Sequence, residues 1–564
     1  MAAKTSRDRR DAPPDVAGPG TAAVALPALA AVLASAALIE FRPDDLYIYL
    51  RVARNVLEGL GWGFNPHEPV NVATSGLWLF LLIGLGGIVG VSAQTAQIAS
   101  GFFTAAGVAG TASLAGRLAG DRRAAWAAGI ALAGDAWIGR WLWSGMETGL
   151  AIAIAAWGLS LRASGDERRR TTLAAGLLFA LAPLVRPEML LLPLAAIAAS
   201  LFEGSRKGRS RALHDALLLA GVGALWTLFA TLTWGSPLPS TAVAKGTLGA
   251  ANIGTIDALL RVGKVIVSTQ GPALLLAVFL GTRWLGAAGR HSERAPGRQA
   301  ATRTIVLFVA GVSLLYAAQH VKVYTRYVLP MTALVVALGF ASAVSWSDRL
   351  RRARNLLWAG AVLATLAGNM ALSAWLVAPK TRAYAKSMRE TVIPLALRLG
   401  EETREDAVIA VPDIGALGFF SRRKILDLNG LATPEIVPWK RDGRLGEFIR
   451  EDPPDVLIGI ETEPRRWAAR LPELPLALRE VLQFDGMFVD GPDPMYLTVY
   501  DVGVQGESNE ADETNGANDE PTADGSIAGD VGAAATASRP DGTDAETAMN
   551  APGEAAGPDG EAGR

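Results

Sequence analysis

Eleven apolar segments, at residues 22–40, 97–116, 124–143, 148–161, 171–185, 188–202, 214–233, 263–282, 304–319, 327–346 and 355–378, fill most of the first two-thirds of the chain. In hydrocarbon a backbone amide finds no water, so runs of this kind are expected to close their own hydrogen bonds as membrane-crossing helices. Six basic clusters punctuate them: "KTSRDRR" before the first, then "RLAGDRR" (117–123), "RASGDERRR" (162–170), "EGSRKGRSR" (203–211), "RWLGAAGRHSERAPGRQAATR" (283–303) and "SDRLRRAR" (347–354). With eleven crossings, every cluster falls on the same side, which the positive-inside rule makes cytoplasmic. A twelfth apolar stretch, residues 75–91, would reverse the later clusters if it crossed. Its seventeen residues, with three interior glycines (Gly84, Gly86 and Gly87), read as a juxtamembrane helix on the outer side.

The first run is followed by others and lacks a small-residue cleavage site, so it is expected to be a retained helix rather than a signal peptide. Residues 1–21 form a polar cytoplasmic lead. Half of the residues are hydrophobic and only 19% are charged, which excludes an ordinary soluble enzyme. With no cysteine, disulfide frameworks and thiolate metal sites are excluded as well. From Gly503 onward fourteen acidic residues face two arginines, so the net charge of −1 hides an acidic tail (503–564) expected to be disordered. Residues 380–502 change character. "DAVIAVPDIGALGFFS", "KILDLNGL", "PDVLIGI" and "MYLTVYD" read as short buried strands of a small extracytoplasmic α/β domain. The glycines of "VPDIGALGFF" do not match a dinucleotide fingerprint and are expected at a strand-to-helix turn. The fold class is therefore a polytopic α-helical membrane protein of about eleven crossings (22–379), an outer juxtamembrane helix and a C-terminal α/β domain, located in the plasma membrane.

That topology gathers ionisable residues on the outer face. They are Asp44 and Asp45 in "FRPDDLYIYLRVARN", Glu147 in "SGMET", Arg186 and Glu188 in "VRPEM", Lys245 in "SPLPSTAVAKG", and His320, Lys322 and Arg326 in "QHVKVYTRY". Charge at membrane depth is costly, so its convergence on one face points to a site. As a helix, residues 44–59 place Asp44, Arg51, Asn55 and Glu58 on one stripe, which predicts an interfacial amphipathic helix with a polar seam. The plain structural alternatives are that Asp44 and Asp45 cap this helix, that Glu147 is a first-turn acid, that "RPE" is a turn with a local ion pair, that Lys245 and Lys322 are interfacial anchors, and that His320 is a structural residue near a helix end.

The stretch "DDLYIYLRVARNVLEGLGWGFNPHEPVNVATSGLW", followed in order by "SGMET", "RPE", "WGSPLPSTAVAK" and "DLNGLATPEI", resembles the polyprenyl-phosphate-sugar-dependent glycosyltransferases of the type C superfamily, especially the branch of bacterial cell-wall arabinofuranosyltransferases. "STAVAK" stands where "NTYYAK" is more usual. The resemblance implies a first-loop acid, Asp44, as general base, with Asp45 orienting the acceptor or holding a cation. Transfer from a lipid monophosphate also needs cations for the departing phosphate, a task suited to Lys245, Arg326 and His320. Glu147, Arg186, Glu188, Arg51 and Asn55 would shape the pocket, and Asp413 and Asp427 are candidate acceptor contacts on the C-terminal domain. The implied partners are a polyprenyl-phosphate sugar donor, membrane lipids and an envelope glycan or similar acceptor, with no nucleic acid. Four histidines, two of them in cytoplasmic loops, supply no zinc cluster. No cofactor is required, although an oxygen-ligated divalent cation at Asp44, Asp45, Glu147 or Glu188 is compatible with the residues. A transporter or flippase for a lipid-linked or small polar solute is the rival reading. It predicts internal repeats and midplane charges, and neither is seen in the sequence.

Overall fold

The computed structural model describes residues 19–241, 254–290, 296–320, 323–343, 351–464, 466–471, 474–487 and 493–503. Its helical body comprises α1 (Thr21–Ala34), α2 (Asp44–Leu57), α3 (Gly76–Val89), α4 (Ala93–Ala119), α5 (Arg122–Ala133), α6 (Ala136–Leu142), α7 (Thr148–Ala163), α8 (Arg169–Val185), α9 (Leu191–Leu201), α10 (Arg206–Trp234), α11 (Thr255–Arg290), α12 (Pro296–Ala318), α13 (Thr325–Ser342) and α14 (Arg351–Leu372). Among the described residues, six helices are long and apolar enough to cross a membrane. The Ala- and Gly-rich α4 sits at the centre, packed on α1, α5, α7 and α13, where small side chains let backbones approach closely.

Three sequence expectations change in the structure. The segment 124–143 is not one helix: Asp135 breaks it, its carboxylate accepting from the Trp137 and Ile138 backbone N–H groups at 2.9 and 3.0 Å as the cap of α6. The boundary placed at residue 380 falls inside continuous helix. From α14 the chain runs through α15 (Ala378–Ser387) and α16 (Ile393–Glu402), joined by two π-helical turns at Ser373–Val377 and Met388–Val392. And α2 is not a surface helix, because its polar seam, Arg51 and Asn55, is 4% and 5% exposed. Helix α3 has fourteen residues, about 21 Å at 1.5 Å per residue, which is shorter than a hydrocarbon core of about 30 Å.

The α/β domain holds one five-stranded sheet of order β2-β1-β3-β5-β4. Strands β1 (Val408–Val411), β2 (Lys424–Asp427) and β3 (Val456–Glu461) are parallel, whereas β5 (Met495–Val502) runs antiparallel to β3 and to β4 (Leu476–Phe484). The glycine-containing turn leads from β1 into α17 (Gly415–Ser421). Sequence reading missed β4, an edge strand with charged residues such as Arg479 and Glu480 and little inward alternation.

What hides the seam of α2 is this domain. The Arg51 guanidinium donates to the carbonyls of Phe64 at 2.7 Å, of Arg423 at 2.7 Å and of Gly418, while Arg54 lies 3.6 Å over the Phe419 ring. Asn65 treats the open edge of β2 as a strand would: its Nδ2 donates to the Ile425 carbonyl at 2.9 Å and its Oδ1 accepts from the Ile425 N–H at 3.0 Å. Helix α17 can approach α2 only because it carries glycine where the two meet. A Cβ at Gly418 would press on Arg51 and Phe64, and one at Gly415 on the Asp44 backbone and carboxylate. Gly415→Ala is expected to cost about 1–3 kcal/mol through this overpacking. It should show as faster protease cleavage between the helical body and the sheet, with the membrane body intact.

Candidate functional site

A cavity of about 1780 Å³ lies where the helical body meets the α/β domain. Two elements bring carboxylates to its domain-facing end: α2 presents Asp44 and Asp45, and the turn after β1 presents Asp413. Asp44 does act as a cap, but of another helix. Its Oδ2 and Oδ1 accept from the backbone N–H groups of Gly415 and Ala416 at 2.8 and 2.7 Å, at the start of α17, while its own N–H donates to the Tyr384 hydroxyl at 2.9 Å. One side chain thus ties α2, α15 and α17 together. Asp45 pairs with Arg326 at 2.5 Å, and the Arg326 guanidinium lies 5.4 Å from the centres of both the Trp141 and Tyr327 rings.

Asp413 differs from both. Its side chain is open to the cavity, and among the described residues it makes no hydrogen bond or ion pair. Enclosure by protein, then the like charges of Asp44 and Asp45, pushes its carboxyl up to about 8. Burial, with Asp45 adding to it, raises Asp44 to about 6 against the pull of its two N–H donors.

Further along the wall stands a buried triad. Arg186 donates to Glu147 Oε1 at 2.7 Å and to Glu188 Oε1 at 2.6 Å; the Tyr316 hydroxyl donates to Glu188 at 3.0 Å, and Tyr327 stacks 4.4 Å from the guanidinium carbon. "RPE" is therefore a turn with a local ion pair, and it also recruits Glu147 from 39 residues away. His320 lines the cavity just beyond the end of α12, at φ 51°.

The cavity does not include every residue expected there. Arg51 and Asn55 lie outside it and serve the domain junction, with Asn55 donating to the carbonyls of Gly63 and Phe64. Asp427 is fully buried behind β2, its carboxylate accepting from the backbone N–H groups of Asn429, Leu431 and Ala432, so it organises a turn and does not face an acceptor. Lys245 and Lys322 fall outside the described residues. Among those described, no group of three or more His, Asp or Glu could hold a metal ion.

Sequence reading also passed over residues that the fold delivers. Asp257, Arg261, Lys264 and Ser268 form a stripe on α11 facing the cavity; their spacing of four, three and four is helical, and only Lys264 and Ser268 fall within the apolar segment 263–282. Arg140, within the apolar segment 124–143, lines the wall, donates to Thr381 Oγ1 at 2.8 Å and stacks 4.3 Å from the centre of the Phe41 ring. Tyr384 had no signal at all.

A domain of unknown function (DUF8728) matches residues 381–500. No curated protein matches the chain. Among solved structures, ArnT from Cupriavidus metallidurans bound to undecaprenyl phosphate is similar with TM-score 0.54 at 13% identity, over 85% of this chain and 98% of that one. Its apo state gives TM-score 0.54 at 14% identity, over 85% and 97%. The archaeal oligosaccharyltransferase AglB from Archaeoglobus fulgidus, in complex with an inhibitory peptide and a dolichol-phosphate, gives 0.48 at 13% identity, over 80% of this chain and 72% of that one. The fold described above, a polytopic helical body with a small α/β domain, is similar to that of ArnT.

Proposed function

We propose, on the premise of a type C glycosyltransferase fold, that this protein moves a sugar from a polyprenyl-phosphate donor to a cell-envelope glycan or similar acceptor on the outer face of the plasma membrane. The sequence resemblance favours arabinofuranose as that sugar. One observation carries the reading: carboxylates and cations from six separate chain segments line a single cavity between the membrane helices and the α/β domain. That ArnT binds undecaprenyl phosphate supports a lipid phosphate as the anchored half of the donor.

In this reading the acceptor hydroxyl attacks the anomeric carbon, and the lipid phosphate departs with the bonding electrons. Arg326 is the first cation for it. The arginine is paired with Asp45, and its planar fork suits phosphate as well as carboxylate, so donor binding exchanges one anion for the other at Arg326. His320, Arg261 and Lys264 lie along the same cavity and extend the positive side. Lys245 is proposed to join them. The Glu147–Arg186–Glu188 triad fixes the wall against which the sugar rests. Asp44 holds the α/β domain over the reacting groups.

The test is transfer from a panel of radiolabelled polyprenyl-phosphate sugars to endogenous acceptors, in membranes matched for expression. One donor is expected to be consumed, and Asp44→Asn is expected to lower the rate by about 100-fold or more, since it disturbs both the acidic wall and the α17 cap. Consumption of no donor would remove sugar transfer and bring the transporter reading forward.

A further inference from the structure

The sequence points to Asp44 as the base, yet both oxygens of Asp44 already accept backbone N–H groups, and Asp45 is bound to Arg326. Asp413 is the remaining carboxylate at this end of the cavity. It stands two residues before the N–H that Asp44 captures, which fixes it beside the first-loop pair, and it projects into the cavity with no partner among the described residues. We infer that Asp413, supplied by the α/β domain, is a catalytic residue of the transfer and takes the proton of the acceptor hydroxyl.

The step balances as follows in atoms. The acceptor O–H proton passes to an Asp413 carboxylate oxygen while a lone pair of that hydroxyl oxygen forms the bond to the anomeric carbon. The bond from this carbon to the phosphate oxygen breaks, and its electron pair leaves on the lipid phosphate opposite Arg326. Asp413 then returns the proton to water. The inference rests on the sugar-transfer reading and explains why the domain is bolted to α2: without the Asp44 cap and the Arg51 and Asn65 contacts, the base would not be held at the cavity.

The groups around Asp413 set its basicity. Asp44 and Asp45 on α2 and Asp427 at the end of β2 oppose its ionisation, as does enclosure; Tyr384 on α15 and Tyr324 before α13 face it as neutral phenols, and Arg326 on α13 is engaged by Asp45. A base raised in this way is mostly protonated at neutral pH and gains strength toward pH 8. The transfer rate should therefore climb with pH and level off above about 8.

The experiment uses the full-length protein in lipid nanodiscs with the radiolabelled donor that the panel identifies, across about pH 5.5 to 9, for the wild type, Asp413→Asn and Asp413→Glu. Melting with and without added polyprenyl phosphate is recorded for each. Asp413→Asn is expected to lose about 100-fold or more and its alkaline rise, with the lipid-dependent gain in melting temperature unchanged, while Asp413→Glu recovers part of the rate on a shifted profile. If Asp413→Asn keeps the wild-type rate and profile, the inference falls and sugar transfer stands. Early melting or loss of the lipid response would make Asp413 a docking residue and overturn the inference as well. A wild type that consumes no donor removes both.

Discussion

Arg326→Gln should reduce transfer by about 100- to 1000-fold in kcat/KM, the range found when one preorganised charge stabiliser is taken from a transition state. The loss has two physical sources. A guanidinium that meets the leaving phosphate disappears, and Asp45, paired with it at 2.5 Å, loses that cation and turns its negative charge toward the incoming donor. Repulsion of a phosphodiester by that anion raises KM, and loss of charge compensation lowers kcat, so both terms should move. Arg326→Lys keeps the charge but not the two-pronged geometry, and should recover only a minor part. The double change Arg326→Gln with Asp45→Asn should bind donor better than the single one while remaining slow. Steady-state rates against donor concentration for the four proteins decide this; an unchanged kcat/KM in Arg326→Gln would remove the residue from the phosphate site.

The largest effect on stability is expected at Arg186. It is 5% exposed and is the partner of both Glu147, 3% exposed, and the half-buried Glu188, so its removal strands one buried and one half-buried carboxylate at once. Removing one partner of a buried pair costs about 3–5 kcal/mol, a large share of the roughly 5–15 kcal/mol that holds a folded domain. Arg186→Leu should therefore fail to accumulate in membranes. The triple change Arg186→Leu, Glu147→Gln, Glu188→Gln leaves no buried charge and should recover much of the protein level while remaining inactive. Quantifying membrane-inserted protein for the single and triple variants checks it. Equal accumulation of Arg186→Leu and wild type would show that the triad is wet and weak.

Much of this site was legible because its chemistry is expensive. Asp44, Asp45, Glu147, Arg186, Glu188, His320 and Arg326 stood out in the sequence as ions in segments otherwise built for lipid, and all of them line one cavity. Arg51 and Asn55 stood out by the same logic and do other work. Helical periodicity put them on one stripe with Asp44 but could not say that a domain more than 340 residues later would cover that stripe. The α11 stripe was hidden in the opposite way: it begins with Asp257 and Arg261 ahead of the apolar segment 263–282 and continues into it at Lys264, so no single segment showed the whole polar face.

The chain by itself determines its helices, the rough limits of the membrane body and the presence of a separate α/β unit, because backbone satisfaction in lipid and two-fold alternation in strands are local requirements written into neighbouring residues. It also determines which ions have no business in hydrocarbon. Which of those ions meet, and which are already spent on one another, only the tertiary structure decides. Asp44 reads in sequence as a general base or the cap of its own helix and becomes the cap of α17; Asp413 reads as a candidate acceptor contact and becomes a carboxylate of the cavity wall with no hydrogen bond or ion pair among the described residues. The difference lies in contacts across some 370 residues, set by glycines that let α17 reach α2 and by an arginine that holds it there, and no local pattern records them.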